Sequence, residues 1–144
     1  GIAYTLKDDP LDVGEVLTGV CQHIKQRCQQ LGYPLPRLLL EPGRSMIATS
    51  GLTLYTIGSV KEVPDTRTYL AVDGGMGDNI RPSLYGAVYT ALVATRLQEP
   101  CTKTVTVAGK YCESGDVLIR DLLVPDATGR DDVLMVFGTG AYNY

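Results

Sequence analysis

The chain has 144 residues, of which 44% are hydrophobic and 20% are charged, and its formal net charge is −3 at pH 7. This composition suits one globular domain with its own core, and it excludes nucleic acid or an anionic membrane as the main partner, because no basic stripe could neutralise phosphates. Since no apolar run approaches the roughly 20 residues of a membrane span and the N-terminus is unlike a signal peptide, we expect a cytoplasmic protein.

The first predicted element is a helix from Leu11 to about Leu31. Apolar residues recur there at three- and four-residue spacing, which predicts one buried stripe. These residues are Val13, Val16, Leu17, Val20, Ile24, Cys28 and Leu31. Two aspartates and a proline at positions 8–10 are helix-start signals, and Gly32 is a stop signal.

A short continuous apolar run follows at Arg37–Leu40. Continuous hydrophobicity favours a strand that is buried on both faces, as in a parallel sheet covered by helices. Helix, loop, buried strand and glycine-containing loop together predict one unit of an α/β architecture.

The remainder of the chain is rich in β-branched residues and turn residues, which predicts several short strands in a β-sandwich or half-open barrel. The predicted strand regions are Met46–Val63, Thr68–Val72, Val105–Ala108, Val117–Leu123 and Val133–Phe137. Leu84–Leu97 is ambiguous, because its alanines permit a helix and its valine, tyrosine and threonine residues favour a strand. The predicted domain boundary lies near residue 46.

The four cysteines predict free thiols and no metal site. Cys21 and Cys28 lie about two helical turns apart, which is too far for a disulfide. Neither pair of cysteines has metal-ligand spacing, and His23 is the only histidine. A solvated or packed position on the helix is the simplest interpretation of His23.

Two glycine-containing loops follow predicted strands. Glu41-Pro42-Gly43-Arg44 stands where a buried parallel strand would end, the edge at which α/β barrels carry their ligand loops. Gly43 permits close backbone approach and Arg44 offers a fork for carboxylate or phosphate, although a surface turn with a solvated arginine fits equally well. In the loop from Asp73 to Asp78, three glycines indicate a sharp turn or a close neighbour, and a purely structural loop is the commoner explanation.

Three later segments also carry polar groups. Arg81 and Tyr85, four residues apart, would suit a carboxylate but are also a common surface pair. The loop Gly109–Asp116 sets Cys112, a thiol that can serve as nucleophile or proton donor, beside a carboxylate. Tyr142 stands among small residues that would admit a ligand or simply pack on the core. The residues alone leave these alternatives open.

Four segments in this order, Glu41–Ser45, Asp78–Tyr85, Cys112–Asp116 and Gly140–Tyr142, carry a resemblance that extends over nearly the whole chain. They resemble the fold III pyridoxal-phosphate-dependent decarboxylases, and among them the diaminopimelate decarboxylase branch. The resemblance implies pyridoxal 5′-phosphate as cofactor, a small amino-acid substrate and a homodimer with shared active sites. The implied reaction is decarboxylation of meso-2,6-diaminopimelate to L-lysine and carbon dioxide, the last step of lysine biosynthesis.

The same resemblance implies an α+β chain in two parts. Residues 1–45 would be the last helix–strand unit of the cofactor-binding (β/α)8 barrel. Residues 46–144 would be a β-rich C-terminal domain, a sandwich or Greek-key half-barrel truncated at its end. The family's Schiff-base lysine and its ring-stacking histidine would lie before residue 1, so we expect this polypeptide alone to be inactive and to hold no cofactor covalently.

The resemblance also implies a role for each site residue. Cys112 would be catalytic, returning a proton to the substrate carbanion from the other subunit. Residues that bind substrate would be Arg44, Arg81, Tyr85, Glu113 and Tyr142. Residues that border the cofactor would be Glu41, Pro42, Gly43, Arg44 and Tyr142. Glu113, which would take the distal amino group, separates this branch from ornithine decarboxylase.

Two alternatives remain at this stage. One is another fold III decarboxylase, acting on ornithine, arginine or carboxynorspermidine. The other is a non-catalytic β-domain that serves as a regulatory or interaction module, although such a module would need neither Cys112 nor Glu113 nor Tyr142.

Overall fold

The computed structural model describes residue 3 and residues 8–144, so the predicted N-terminal part begins in residues outside the described ones. The helices and strands, in chain order, are α1 (Val13–Leu31), β1 (Leu52–Val63), β2 (Arg67–Val72), α2 (Arg81–Tyr85), β3 (Ala91–Val93), β4 (Cys101–Ala108), β5 (Val117–Pro125) and β6 (Val133–Phe137). All five predicted strand regions contain a strand. The ambiguous segment divides into the end of α2, the short β3 and a single 3₁₀ turn.

The six strands form one sheet in the order β3-β6-β1-β2-β4-β5. Neighbouring strands are antiparallel except β2 and β4, which run parallel. The edge strands β3 and β5 contact each other, so the sheet is nearly closed like a barrel. Of the two predicted β architectures, the structure shows the barrel-like one.

β1 is long enough to serve two parts of this sheet. Its first half, Leu52–Thr56, pairs with β6, and its second half, from Ile57 to Val63, pairs with β2. The register shifts between Ile57 and Ser59. A bulge of this kind bends a strand and increases its twist, which allows one strand to turn the corner of a barrel.

The core lies inside the curved sheet. Its buried residues are Tyr55, Ile57, Leu70, Val72, Tyr89, Ala91, Val93, Val105, Val107, Leu118, Ile119, Val124, Leu134 and Val136. Most occupy alternate positions on the strands, because successive side chains of a strand point to opposite faces. The predicted β-rich texture therefore reflects a real interior, to which every strand contributes.

A buried carboxylate fastens one end of the barrel. Asp132, just before β6, accepts hydrogen bonds from Thr95 Oγ1 (2.7 Å), Arg96 Nε (2.7 Å) and the Gly129 amide (2.9 Å). Burial alone would raise the pKa of the Asp132 carboxyl, but the bonds from Arg96, Thr95 and Gly129 outweigh burial and lower it. The carboxylate thus joins the turn after β3 to the start of β6.

The predicted helix is confirmed as α1, with local signals at both ends. Asp12, and not the residues at 8–10, is its N-cap and accepts the Glu15 amide at 2.8 Å. Gly32 ends the helix in the left-handed conformation (φ 67°). His23 is exposed on it. Among the described residues, no helix is both long and apolar enough to cross a lipid bilayer.

The predicted burial of the helix stripe is wrong. No residue of α1 is buried, and Val16, Val20 and Leu31 are among the exposed large apolar side chains. An amphipathic face is buried only if another element packs on it, and no described strand or helix does so. The apolar spacing correctly marks the face that α1 could bury, but no other part of the described chain packs on that face.

The strand predicted at Arg37–Leu40 is also wrong. This segment has no regular secondary structure, and Leu38, Leu39 and Leu40 are exposed. A buried parallel strand needs hydrogen-bonded neighbours on both sides, and no described strand pairs with this segment. The apolar run therefore lies open to solvent.

Candidate functional site

Arg81 and Tyr85 lie on the short helix α2. Their four-residue spacing places both side chains on one face, and the Arg81 guanidinium carbon is 5.1 Å from the centre of the Tyr85 ring. Proline in the first turn and a left-handed Gly86 (φ 62°) define the two ends of the helix. The predicted Arg–Tyr pair is therefore a real contact, held on a local element.

Tyr142 reaches the same place from the C-terminal segment. Its ring centre is 5.7 Å from the Arg81 guanidinium carbon, so the cation is close to two phenol rings. A cavity of about 460 Å³ opens beside them and is lined by Ile80, Arg81, Leu84, Tyr85 and Tyr142. This volume is within the usual range for small-molecule sites, and its polar lining consists of one cation and two hydroxyl groups.

The backbone of Tyr142 is unusual. Its φ of 61° lies in the left-handed region, which is a genuine outlier for a bulky residue and marks places where the surrounding structure holds a strained conformation. The Tyr142 hydroxyl occupies the space that a Cβ at position 43 would take. Gly43 is therefore required for this approach, which is the close contact that its smallness predicted.

The segment before Tyr142 is held by close backbone packing. The Gly140 amide donates to the Ala48 carbonyl at 2.9 Å, and the Thr139 amide donates to the Gly51 carbonyl at 3.1 Å. A Cβ at Gly140 would overlap the Ile47 carbonyl. Of the two explanations for these small residues, close packing is the one that the contacts support, and it fixes the backbone next to Tyr142.

Arg44 begins a single 3₁₀ turn directly after Gly43. Its Nε and Nη2 atoms are buried, whereas Glu41 and Pro42 are exposed. Of the residues predicted to border a cofactor, the structure brings Gly43 and Tyr142 together and sets Arg44 next to them. Glu41 and Pro42 are adjacent only along the chain.

This group of residues fits an anion such as a phosphate. The cation of Arg44 and the hydroxyl of Tyr142 are donors suited to phosphate oxygens, and the absence of a side chain at Gly43 lets the Tyr142 hydroxyl lie next to the residue that precedes Arg44. The described residues offer no comparable fit for a metal ion. Residues 8–144 contain no group of three or more histidine, cysteine, aspartate or glutamate side chains that could hold one.

Cys112 and Glu113 lie on an exposed turn between β4 and β5. The turn is closed by its own hydrogen bonds: the Glu113 amide donates to the Tyr111 carbonyl (2.8 Å), and the Gly115 amide donates to Glu113 Oε1 (3.1 Å). Neither Cys112 nor Glu113 is among the residues that line the Arg81 cavity. Within one chain, the two predicted groups of site residues therefore do not line the same cavity.

A glycine-rich loop, residues 73–78, lies between these two groups. Asp78 Oδ2 accepts hydrogen bonds from the buried Tyr55 hydroxyl at 2.7 Å and from the Gly75 amide at 3.1 Å. Burial, then the hydrogen bond and the negative charge of Asp78, raise the pKa of the Tyr55 phenol. The loop is therefore fixed to the barrel interior immediately before it leads into α2.

Sequence reasoning missed the residues that connect the two groups. Asp116 receives backbone amides from both loops, and the Ser83 hydroxyl on α2 donates to the Gly115 carbonyl. The clustered glycines were a signal that some group approaches closely, but they do not identify it. Asp116 and Ser83 stood inside the quoted segments without an assigned role, and nothing in the local sequence distinguishes Tyr55.

Residues 8–140 match the family described as "Pyridoxal-dependent decarboxylase, C-terminal sheet domain". A diaminopimelate decarboxylase of Bacillus subtilis (strain 168) is 50% identical over 144 residues, which is 100% of this chain and 33% of the relative.

Solved structures give the same result. A crystal structure of diaminopimelate decarboxylase matches with a TM-score of 0.79 and 30% identity, over 99% of this chain and 36% of that chain. A diaminopimelate decarboxylase from M. jannaschii, in co-complex with L-lysine, matches with a TM-score of 0.78 and 32% identity, over 99% of this chain and 32% of that chain.

The chain spans about a third of the length of the curated relatives that it matches. The family match covers the sheet, α2, and the segments that carry Arg44, Arg81 and Cys112. The resemblance found in the four polar segments is thus confirmed at the level of the family. The chain belongs to the pyridoxal-dependent decarboxylases, as their C-terminal sheet domain.

Proposed function

We propose that the chain is the substrate-binding part of an enzyme that decarboxylates meso-2,6-diaminopimelate to L-lysine and carbon dioxide. The observation that carries this proposal is the cavity that Arg81 lines together with Tyr85 and Tyr142, with its guanidinium close to both rings. The chain that carries this cavity is 50% identical, over its whole length, to a curated diaminopimelate decarboxylase.

Arg81 and Tyr85 hold a carboxylate of the substrate. A guanidinium presents paired N–H donors that match the two oxygens of a carboxylate, and a phenol adds a third donor. The two phenol rings close to the guanidinium keep the Arg81 side chain in place. A diamino acid with a carboxylate at each end can use one of them as this anchor while the other reacts.

Glu113 binds the amino group at the far end of the substrate. The carboxylate is exposed on a turn that Glu113 itself helps to close, through its bond to the Gly115 amide. Together, a fixed cation for the carboxylate and a fixed anion for the ammonium would recognise one amino-acid end of the substrate. A substrate that lacks the distal carboxylate would lose half of this recognition.

Cys112 is the proton donor. Pyridoxal phosphate, when bound, supplies the electron sink that accepts the electron pair left by the departing carboxylate. The Cys112 thiol would then give its proton to that carbon, which completes the amino-acid product. Gly43, Arg44 and Tyr142, with Glu41 and Pro42 beside them, would border the phosphate of the cofactor.

The active site belongs to a homodimer of cytoplasmic subunits. Cys112 and Glu113 are exposed and do not line the cavity of their own chain, so they are available to the cavity of a partner. In the whole enzyme, residues 1–45 would belong to the end of a (β/α)8 barrel, whose other units would give Arg37–Leu40 the strand partners that it lacks in this chain, and residues 46–144 would be the sheet domain, of half-barrel type. The exposed apolar side chains of α1 and Leu38–Leu40 support this arrangement, because a barrel would cover them.

The test uses the longest natural form of the protein that carries this sequence, supplied with pyridoxal phosphate. Carbon dioxide release is measured with meso-diaminopimelate, L-ornithine and L-arginine, and we expect turnover of meso-diaminopimelate alone. Arg81→Lys should raise KM for meso-diaminopimelate about tenfold or more, because lysine cannot form the paired contact. The control is Arg130→Lys, at an exposed arginine far along the chain. Preference for ornithine, or an unchanged KM in Arg81→Lys, would refute the proposal.

A further inference from the structure

Asp116 is a buried acidic residue beneath an exposed turn. It is 3% exposed, and it immediately precedes β5. The turn above it, residues 110–114, is exposed and carries Cys112 and Glu113. An isolated buried carboxylate is costly unless donors surround it, so its partners indicate what it does.

Each carboxylate oxygen of Asp116 accepts a backbone amide from a different loop. Oδ1 accepts the Met76 amide of the glycine-rich loop at 2.6 Å, and Oδ2 accepts the Tyr111 amide of the cysteine turn at 2.8 Å. Hydrogen bonds to a charged acceptor are stronger than those between neutral groups. One side chain therefore joins the two loops.

The backbone of Asp116 closes the same turn. Its carbonyl accepts the Gly109 amide at 2.9 Å, and its amide donates to the Glu113 carbonyl at 3.0 Å. Both ends of the turn that carries Cys112 are thus fastened to Asp116. The Lys110 amide adds a bond to the Gly74 carbonyl at 2.9 Å, so the two loops also contact each other directly.

Glycines make the room for this arrangement. A Cβ at Gly75 or at Gly109 would overlap the Asp116 carboxylate, and a Cβ at Gly77 would overlap the Tyr111 hydroxyl. Larger residues at these three positions would push the carboxylate or the Tyr111 ring away. Asp116 and Tyr111 therefore pack directly against the backbone of the glycine-rich loop.

We infer that Asp116 is a positioning residue, whose carboxylate holds Cys112 and Glu113 in register with the glycine-rich loop that leads to Arg81. The assignment of these side chains to a reaction rests on the proposed function. Asp116 does not line the Arg81 cavity, and it acts through the backbone of the turn. Its carboxylate accepts two amides, so an amide side chain of the same size cannot replace it: the NH₂ group would face an N–H donor.

The experiment compares Asp116→Asn with Asp126→Asn, a matched change at an exposed aspartate, in the longest natural form of the protein. Hydrogen exchange is measured without cofactor or substrate. We expect the Met76 and Tyr111 amides to exchange about tenfold faster in Asp116→Asn, and those of the β6 core to keep their rates. Unchanged exchange at both amides would overturn the inference, as would equal acceleration over the whole sheet.

Kinetics supply the second readout. Asp116→Asn should lower kcat/KM for meso-diaminopimelate about tenfold or more, with the affinity for pyridoxal phosphate unchanged. In the Glu113→Ala background the same change should cost less than it does in the wild type, because only the part of its effect that acts through Cys112 remains. Full additivity of the two losses would overturn the inference. If the wild type fails to use meso-diaminopimelate but exchange at Met76 and Tyr111 still accelerates, the proposed function fails and the positioning role stands.

A second variant covers the case in which Asp116→Asn does not fold, as judged by circular dichroism and native mass. Gly75→Ala keeps the carboxylate but pushes a methyl group against it. We expect faster exchange at the Met76 and Tyr111 amides here too, by a smaller factor than in Asp116→Asn. Wild-type exchange in a folded Gly75→Ala protein would overturn the inference.

Discussion

The sheet and the N-terminal segment of this chain carry equally clear sequence signals, but only the sheet is packed. All six strands contribute buried side chains to one core. In contrast, α1 has a correct cap at each end and no buried residue. Caps and propensity need only neighbouring residues, whereas burial needs a second surface. The comparison shows that a sequence pattern can specify an element without supplying what the element packs on.

The described region before residue 43 exposes large apolar side chains without burying any in return. Leu38, Leu39 and Leu40 follow one another in the open, and Val13, Val16, Val20 and Leu31 of α1 are exposed as well. Contiguous apolar surface of this kind marks an interaction site. In the proposed enzyme, this site would be where the sheet domain meets the barrel that binds the cofactor.

Alanine substitution of one leucine in each region gives the largest expected difference. Leu134 is 0% exposed in the core, so Leu134→Ala should lower the free energy of unfolding of this chain by about 2–5 kcal/mol. Leu39 is 72% exposed, so Leu39→Ala should change it by less than about 0.5 kcal/mol. Urea unfolding monitored by tyrosine fluorescence measures both values. A large loss in Leu39→Ala would mean that the N-terminal segment packs after all.

The ion-paired Asp132 gives a smaller effect, confined to the sheet. Asp132→Asn should lower the free energy of unfolding by about 1–3 kcal/mol at pH 7, because the buried acceptor of three donors loses its charge. The pKa of Asp132 is lowered in the folded state. Its stabilisation is therefore complete above the unfolded pKa, and it is lost as pH falls through the folded pKa.

The measurement for Asp132 is the thermal midpoint of both proteins as a function of pH. The difference between wild type and Asp132→Asn should be constant near neutrality and shrink below about pH 4. Asp65→Asn is the control, since Asp65 is exposed and asparagine tolerates its left-handed backbone (φ 57°). A difference that persists unchanged into acid would mean that packing, and not charge, accounts for the role of Asp132.

Much of the fold could be predicted because strands and helix ends depend on residues that are close together in the sequence. β-branched runs bounded by turn residues located the end of β1 at Val63, although the predicted region started at Met46 and β1 starts at Leu52, and Gly32 fixed the end of α1. Arg37–Leu40 could not be predicted correctly, since its partners as a strand do not exist among the described residues. The short helix α2 was missed because five residues are too few to show a helical period, although Gly86 ends it with a helix-stop signal.

The site divides in the same way. The Arg81–Tyr85 pair could be noticed from its four-residue spacing, but its role came from the family resemblance, because the helix that brings the two side chains together was not predicted. The bonds that fix the loops could not be predicted, since Met76 and Asp116 are 40 residues apart and Tyr55 and Asp78 are 23 apart. The glycines in these loops indicate that some group approaches closely, but they do not identify that group. The assignment of Tyr142 depended on the family resemblance, and its strained backbone has no sequence signal.

The smallest expected effect is in α1 and separates the two regions once more. Gly19 lies in the middle of the helix, and a Cβ there meets nothing within 4 Å. Gly19→Ala should stabilise the helix locally by about 0.5–1 kcal/mol and raise the circular dichroism signal at 222 nm. Gly14→Ala is the control in the same helix and should gain less, because its Cβ would stand 3.1 Å from the capping oxygen of Asp12. The urea midpoint of the sheet should stay the same in both variants, and a shift in that midpoint would mean that α1 and the sheet unfold together.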